Sequence, residues 1–332
     1  RTRSSYAAAL FQVRARHRGS PETDSDAVLW EHVDDVMHFC HKESQRHRPC
    51  PTTLLRNLNE AERLSILNWL VQVCNCMRYP DNVLYSTVLN LDRYCALSTR
   101  PLDMAQLQRI LMAVICTVIK MHGSEDHPQA LSDALQRMCG ETVSHQDILT
   151  TERHVLRTLG FDVSVPSVLD FMDMLSIPST LLEVQVGRRG AVHPRLLTDF
   201  LVKLSLFNVE LHYRWPNAVL VASAIYIALT STNAPRDLYG AISNDVQVVC
   251  GDVEHLQEGI ATCVIHLHAW WIEYAAHDGN PAPSLLRNFD PDQQRAVVLL
   301  PPPAGTFGTF RRPANFWPIA EGTAEREEAI RN

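Results

Sequence analysis

Few residues in this chain have the types and spacing that chemistry requires. "HFCHKESQRHRPC" offers His38, Cys40, His41, His47 and Cys50 as metal donors. Zinc sites favour a C-x2-4-C or H-x3-5-H rhythm, and the Cys40 to Cys50 gap fits neither. Cys74 and Cys76 lie two apart in a helical segment, so their sulfurs point in different directions, and Cys74 falls on an apolar stripe as a small core residue. No phosphate-binding glycine loop occurs, and no nucleophile, base and carboxylate set stands out. The reading is of a chain without a catalytic constellation, metal or cofactor.

Four charges stand where helical periodicity calls for apolar residues. Ala113, Cys116 and Thr117 lead at helical spacing to Lys120, and the slot four after Ile148 is Glu152. Arg63 and Asp92 adjoin apolar faces in "ERLSILNWL" and "LNLDRY". A charge near a core costs free energy unless it is paired. Arg63 with Asp92 would close a pair between adjacent helices. Lys120 and Glu152 would pair with each other or present a donor and an acceptor jointly to a partner. Physical chemistry alone favours an intramolecular pair.

These charges need helices to hold them, and helical periodicity runs from about Asp24 to Ala276. Leu64, Leu67, Leu70, Val71, Cys74 and Met77 form one stripe, and Leu256, Ile260, Cys263, Val264, Leu267, Trp270 and Trp271 another. Start and stop residues predict an N-terminal helix over Ser25–His41, capped by Ser25 or Asp24. Five more follow: Ala61–Tyr79, Asp81–Leu97, Asp103–Met121, Pro128–Met138 and Ser144–Leu159, with Ser144 as N-cap and Gly160 after the last turn. The second half repeats the rhythm with Pro166–Leu175, His193–Tyr213, Trp215–Thr230, Arg236–Ser243 and Asp252–Ala275. The expected fold is all-α, in two five-helix units.

The domain expectation is a basic arm over 1–23, a first unit over 24–162, a second over 163–276 and a Pro/Gly-containing tail over 277–332, flexible or wrapped on the surface. The first 21 residues hold five arginines and no acid, which fits a disordered arm. The dipeptide Ser20-Pro21 there is a weak proline-directed phosphorylation signal, and the start at Arg1 suggests a fragment or processed chain. The 332 residues carry a formal net charge of −7, which argues against a nucleic-acid binder. Nine cysteines, odd in number and scattered, suggest a reducing compartment. Apolar runs such as "AVLVASAIYIAL" fall short of a membrane span. Together these point to a soluble intracellular protein of the nucleus or cytoplasm.

"RLSILNWLVQV", "VLYSTVLNLDRYCAL", a lysine ending the third helix of the first unit, and "LTTERHVLRTLGFDVSVPSVLDFM" resemble the cyclin box in content and order. The second half resembles a C-terminal cyclin fold. The resemblance implies a non-enzymatic regulatory subunit that binds and activates a cyclin-dependent protein kinase, with no cofactor and no direct nucleic-acid or membrane partner. It assigns Lys120 and Glu152 to kinase contact, and Arg63 and Asp92 to an ion pair inside the box. It also places a degenerate substrate-docking patch on Glu62, Ile66, Trp69, Gln72 and Gln108. Glu62 and Gln72 depart there from the family's apolar and acidic residues, so docking is expected to be weakened or altered; for Trp69 core packing is the competing role. Met121-His122-Gly123 departs from the aromatic and acids that commonly follow the lysine, and Arg109 replaces a usually apolar residue. The "ERHVLRTLGFDVSVPS" stretch leans towards cell-cycle cyclins. The alternatives are a transcription-associated cyclin with a polymerase-directed kinase and a kinase-independent cyclin-fold scaffold.

Overall fold

A computed structural model describes residues 32–122, 143–175, 194–232, 237–251, 256–287 and 301. The arm with Ser20-Pro21, the Pro128–Met138 segment and most of the tail lie outside the described residues. Every regular element among the described residues is a helix. In chain order they are α1 Val33–Arg46, α2 Pro51–Asn57, α3 Glu60–Cys76, α4 Asp81–Leu97, α5 Met104–His122, α6 His145–Thr158 and α7 Val168–Leu175. The second half continues with α8 Pro194–Ser205, α9 Val209–Arg214, α10 Asn217–Ser231, α11 Asp237–Cys250, α12 Leu256–Ala276 and α13 Pro283–Arg287.

Local chemistry explains most of the boundaries. Asn59 caps α3 by accepting from the Ala61 amide, and Pro80 precedes α4 as the spacing predicts. Ser144 opens α6 with a reciprocal capping box to Asp147, which satisfies two otherwise orphaned donors. Gly160 follows the end of the helix, and its φ of +62° suits glycine. α5 has the length and apolarity of a membrane span, but its side chains from Leu107 to Ile119 are almost all buried in this fold.

α5 is the centre of the first unit, flanked by α4 and α6, while α3 and α2 pack on α4. α10 is the centre of the second, against α7, α8, α11 and α12. Its residues Ala218–Leu229 are all buried, so it shows no amphipathic stripe. α1 crosses from its own unit to lie on α10 and α11, which is why it carries Met37 and Cys40 inward and leaves Phe39 out.

Several boundaries differ from the sequence expectation. α1 runs on to Arg46, beyond His41, and α2 is an additional short helix begun by Pro51. The single helix expected over His193–Tyr213 is two. The chain breaks at Leu206–Asn208, where the Asn208 side chain caps α9 through the Leu211 amide at 2.9 Å. α11 extends to Cys250 rather than stopping at Ser243. The start of the expected tail is ordered as α13, which packs on α3. Asn68 makes that seat: its amide nitrogen donates to the Pro281 carbonyl at 2.8 Å, and its oxygen accepts from the Ser284 amide at 3.1 Å.

Candidate functional site

Two charge pairs dominate the polar geometry, and the first lies in the core. Arg63 of α3 donates from Nε to Asp92 Oδ1 at 2.9 Å and from Nη2 to Asp92 Oδ2 at 2.7 Å, a bidentate pair with both side chains about 98% buried. Its remaining nitrogen, Nη1, donates to the Leu206 carbonyl at 2.7 Å, and Tyr213 Oη donates to Asp92 Oδ2 at 2.6 Å. The pair therefore joins α3 to α4 and also ties both to the second unit at the break between α8 and α9. Arg48 donates to the Tyr213 carbonyl beside it. Burial opposes the Arg63 charge, but Asp92 more than compensates and holds its pKa above the ordinary arginine value. Neighbouring His212 is pushed down to about 3 by burial and by the Arg63 and Arg48 charges, and pairs with Ser205 Oγ at 2.9 Å through Nδ1.

The second pair lies at the rim of the first unit. Lys120, in the last turn of α5, donates from Nζ to both Glu152 oxygens at 2.8 Å. Glu152 is buried on α6, with Thr117 Oγ1 at 3.4 Å from its Oε1. The Lys120 side chain is 38% exposed, so the ammonium spans the step from core to solvent. A lysine in the last helical turn also meets the negative end of the α5 dipole.

Apolar side chains with partial or full exposure occur on both helices that carry the pair. Met121 follows Lys120 and is half-buried, as is Leu156, one turn after Glu152 on the same helix face. Beyond the end of α6, Phe161 is 68% exposed with φ +62°, a conformation that costs a bulky residue free energy. Its amide closes the helix end on the Leu156 carbonyl at 2.8 Å. Sequence reasoning passed over Phe161, because only the tertiary arrangement shows that this aromatic is turned outward; the adjacent Gly160-Phe161 helix stop was the available signal.

The other sequence-predicted residues are spread more widely. Ile66 is buried, Glu62, Trp69 and Gln108 are half-buried, and Gln72 is exposed. Trp69 packs against the core, which supports the core-packing role for it. His38, Cys40, His41, His47 and Cys50 serve separate neighbours. His38 Nδ1 faces the Val249 carbonyl at 3.4 Å, and His41 stands edge-on to Phe171. Cys40 is buried, with its pKa pushed up to about 12 mainly by burial. His47 meets Arg93 at 3.1 Å, and Cys50 is exposed at the start of α2. Among the described residues, no group of three or more His, Cys, Asp or Glu converges as a metal site would. Cys74 is buried and Cys76 exposed, facing apart.

Residues 35–164 match the cyclin N-terminal domain, which spans α1 to just beyond α6 and holds all four charges. The chain is 25% identical over 203 residues to the G2/mitotic-specific cyclin-A of Hydra viridissima, covering 60% of this chain and 45% of that protein. It is 26% identical over 219 residues to Cyclin-B2-2 of Oryza sativa subsp. indica, covering 64% and 48%. Similarity to Cyclin-B1-1 of Arabidopsis thaliana reaches further, at 22% identity over 85% of this chain and 62% of that protein. The chain thus spans about half the length of the first two relatives.

Proposed function

We propose that this chain, whose residues 35–164 match the cyclin N-terminal domain, is a cyclin-family regulatory subunit that binds and activates a cyclin-dependent protein kinase in cell-cycle control. The observation that carries the reading is the Lys120–Glu152 corner. A half-exposed ammonium is fixed by a buried carboxylate, with half-buried Met121 and Leu156 within a turn of the two in sequence and exposed Phe161 beyond the end of α6. A partner helix meets there one charged anchor, with exposed apolar side chains on the same two helices available for contact.

The cyclin itself supplies no reacting group in this mechanism. The kinase needs its mobile helix placed so that the helix glutamate pairs with the ATP-positioning lysine. A subunit that binds only that conformation shifts the kinase towards it by its differential affinity for the two states. The second unit, α7 to α12, is read as the C-terminal cyclin fold, and the Arg63–Asp92 network as the bolt that sets the two units against each other.

The test is affinity purification of the chain, identification of the kinase that comes with it, and assay of that kinase with wild type and variants. Lys120→Ala and Glu152→Ala should each reduce activation at least tenfold, as expected where one anchor contributes more than about 1.4 kcal/mol, with circular dichroism unchanged. Equal stimulation by both variants removes these residues from the docking site, and absence of any co-purifying kinase counts against the function itself.

A further inference from the structure

The last turn of α4 and the outward face of α6 meet away from the Lys120–Glu152 corner. Tyr94 of α4 stands edge-on to His154 of α6, with ring centroids 5.9 Å apart. Leu97, one turn after Tyr94, is 56% exposed, and Arg100 just beyond it is exposed as well. On α6, Arg153, His154 and Arg157 are all exposed. A helix turns by about 100° per residue, so His154 and Arg157 lie on the far side of α6 from Glu152. Asn57 ties the end of α2 to the same turn of α4. Its amide donates to the Cys95 carbonyl at 3.0 Å and the Ser98 carbonyl at 2.6 Å, and Arg56 beside it is exposed.

The charge gathered here has one sign. Arg56, Arg100, Arg153 and Arg157 make no ion pair among the described residues. The acids nearest to them in the chain are already engaged. Asp147 closes the capping box with Ser144, Glu152 is held by Lys120, and Asp162 lies 3.3 Å from His47. Asp103, beyond Arg100, accepts from the Gln106 amide at 2.7 Å. A guanidinium is weakly hydrated and pairs with a carboxylate through two parallel N–H bonds, so these arginines are suited to an acidic group from outside the chain.

We propose that this face is a docking surface for an acidic polypeptide segment of a second partner, with Leu97 as its apolar anchor and Arg100, Arg153 and Arg157 as its cations. Charge complementarity selects that occupant. The whole chain carries a formal net charge of −7, so a cationic face is a local exception. Salt screens exposed charges beyond about 8–10 Å, so a short peptide meets the arginines alone, whereas a long polyanion also runs over the acidic remainder. Leu97 supplies an apolar centre, and charges around such a centre add steering and register. Arg153 and Arg157 are one turn apart, about 5–6 Å between Cβ atoms, close to the spacing of about 6.6–6.8 Å between alternate side chains of an extended peptide. This surface is separate from the proposed kinase contact, and its test needs no kinase.

The experiment is fluorescence anisotropy of the full chain with a labelled peptide that alternates glutamate and serine around a central leucine, at about 50 mM and about 200 mM salt. Wild type should bind, and more tightly at the lower salt. Arg100→Glu and Arg157→Glu should each weaken binding about tenfold at low salt, and Leu97→Ser should weaken it several-fold at both salts. These positions are exposed, so thermal melts followed by circular dichroism should not move. Lys42→Glu, the same change of charge at an exposed site on α1, should leave the affinity within about twofold of wild type. Absence of binding by wild type at low salt, undiminished binding by both arginine variants, an equal loss in Lys42→Glu, or tighter binding of a single-stranded RNA of equal charge each overturns the proposal.

Discussion

The two ion pairs share a chemistry and differ in their surroundings. Arg63 and Asp92 are sealed in the seam between the units, and the further bonds from Leu206 and Tyr213 satisfy much of what the pair itself leaves over. Lys120 donates to both Glu152 oxygens at similar lengths, but its side chain keeps more than a third of its surface in water. Burial makes a charge dependent on its partners, because unpaired it would face a low dielectric with nothing to replace its hydration. Exposure removes that dependence and leaves the charge able to exchange its partner for another. The first arrangement suits a structural bolt and the second suits a docking point.

The largest effect should come from Arg63→Ala. It strands the Asp92 carboxylate in the seam, and urea denaturation should show a loss of about 3–5 kcal/mol. A loss below about 1 kcal/mol would mean that the seam is wetter than its geometry indicates. Next is the pH response of the same seam. Neutral His212 stabilises the fold above its unfolded value near 6.5, and that contribution is lost as pH falls towards about 3. Wild type should therefore lose about 1.4 kcal/mol per pH unit more than His212→Asn across this window, read from paired denaturation curves. The smallest effect is expected from Lys120→Ala, which leaves the buried Glu152 carboxylate near the rim with Thr117 and should cost about 1–2 kcal/mol, less than Arg63→Ala. If that variant unfolds as readily as Arg63→Ala, the contrast between bolt and docking point fails.

The sequence carried the helices well where caps and apolar stripes agreed. Asp81–Leu97 is found as expected, and Ser144 and Gly160 bracket α6 as their chemistry requires. It misled at Leu206–Asn208, because the apolar period continues through the break. What interrupts the helix there is an Asn208 cap and the use of the Leu206 carbonyl by an arginine 143 positions away. The short α2 and α13 were illegible for a related reason. Each is too short to show a period, and α13 is seated by Asn68 of the distant α3.

The candidate site divides in the same way. Lys120, Glu152, Arg63 and Asp92 were visible because a charge in an apolar slot is a local anomaly that spacing alone exposes. "AVICTVIK" determined by itself that a buried helix ends on a cation. Only the tertiary structure decided which cation would be sealed and which would face water, which aromatic would turn outward, and that His154 would lie against Tyr94. Periodicity records which face of a helix is apolar, but a partner's identity depends on side chains brought together from separate helices, and their desolvation is a property of the assembled fold.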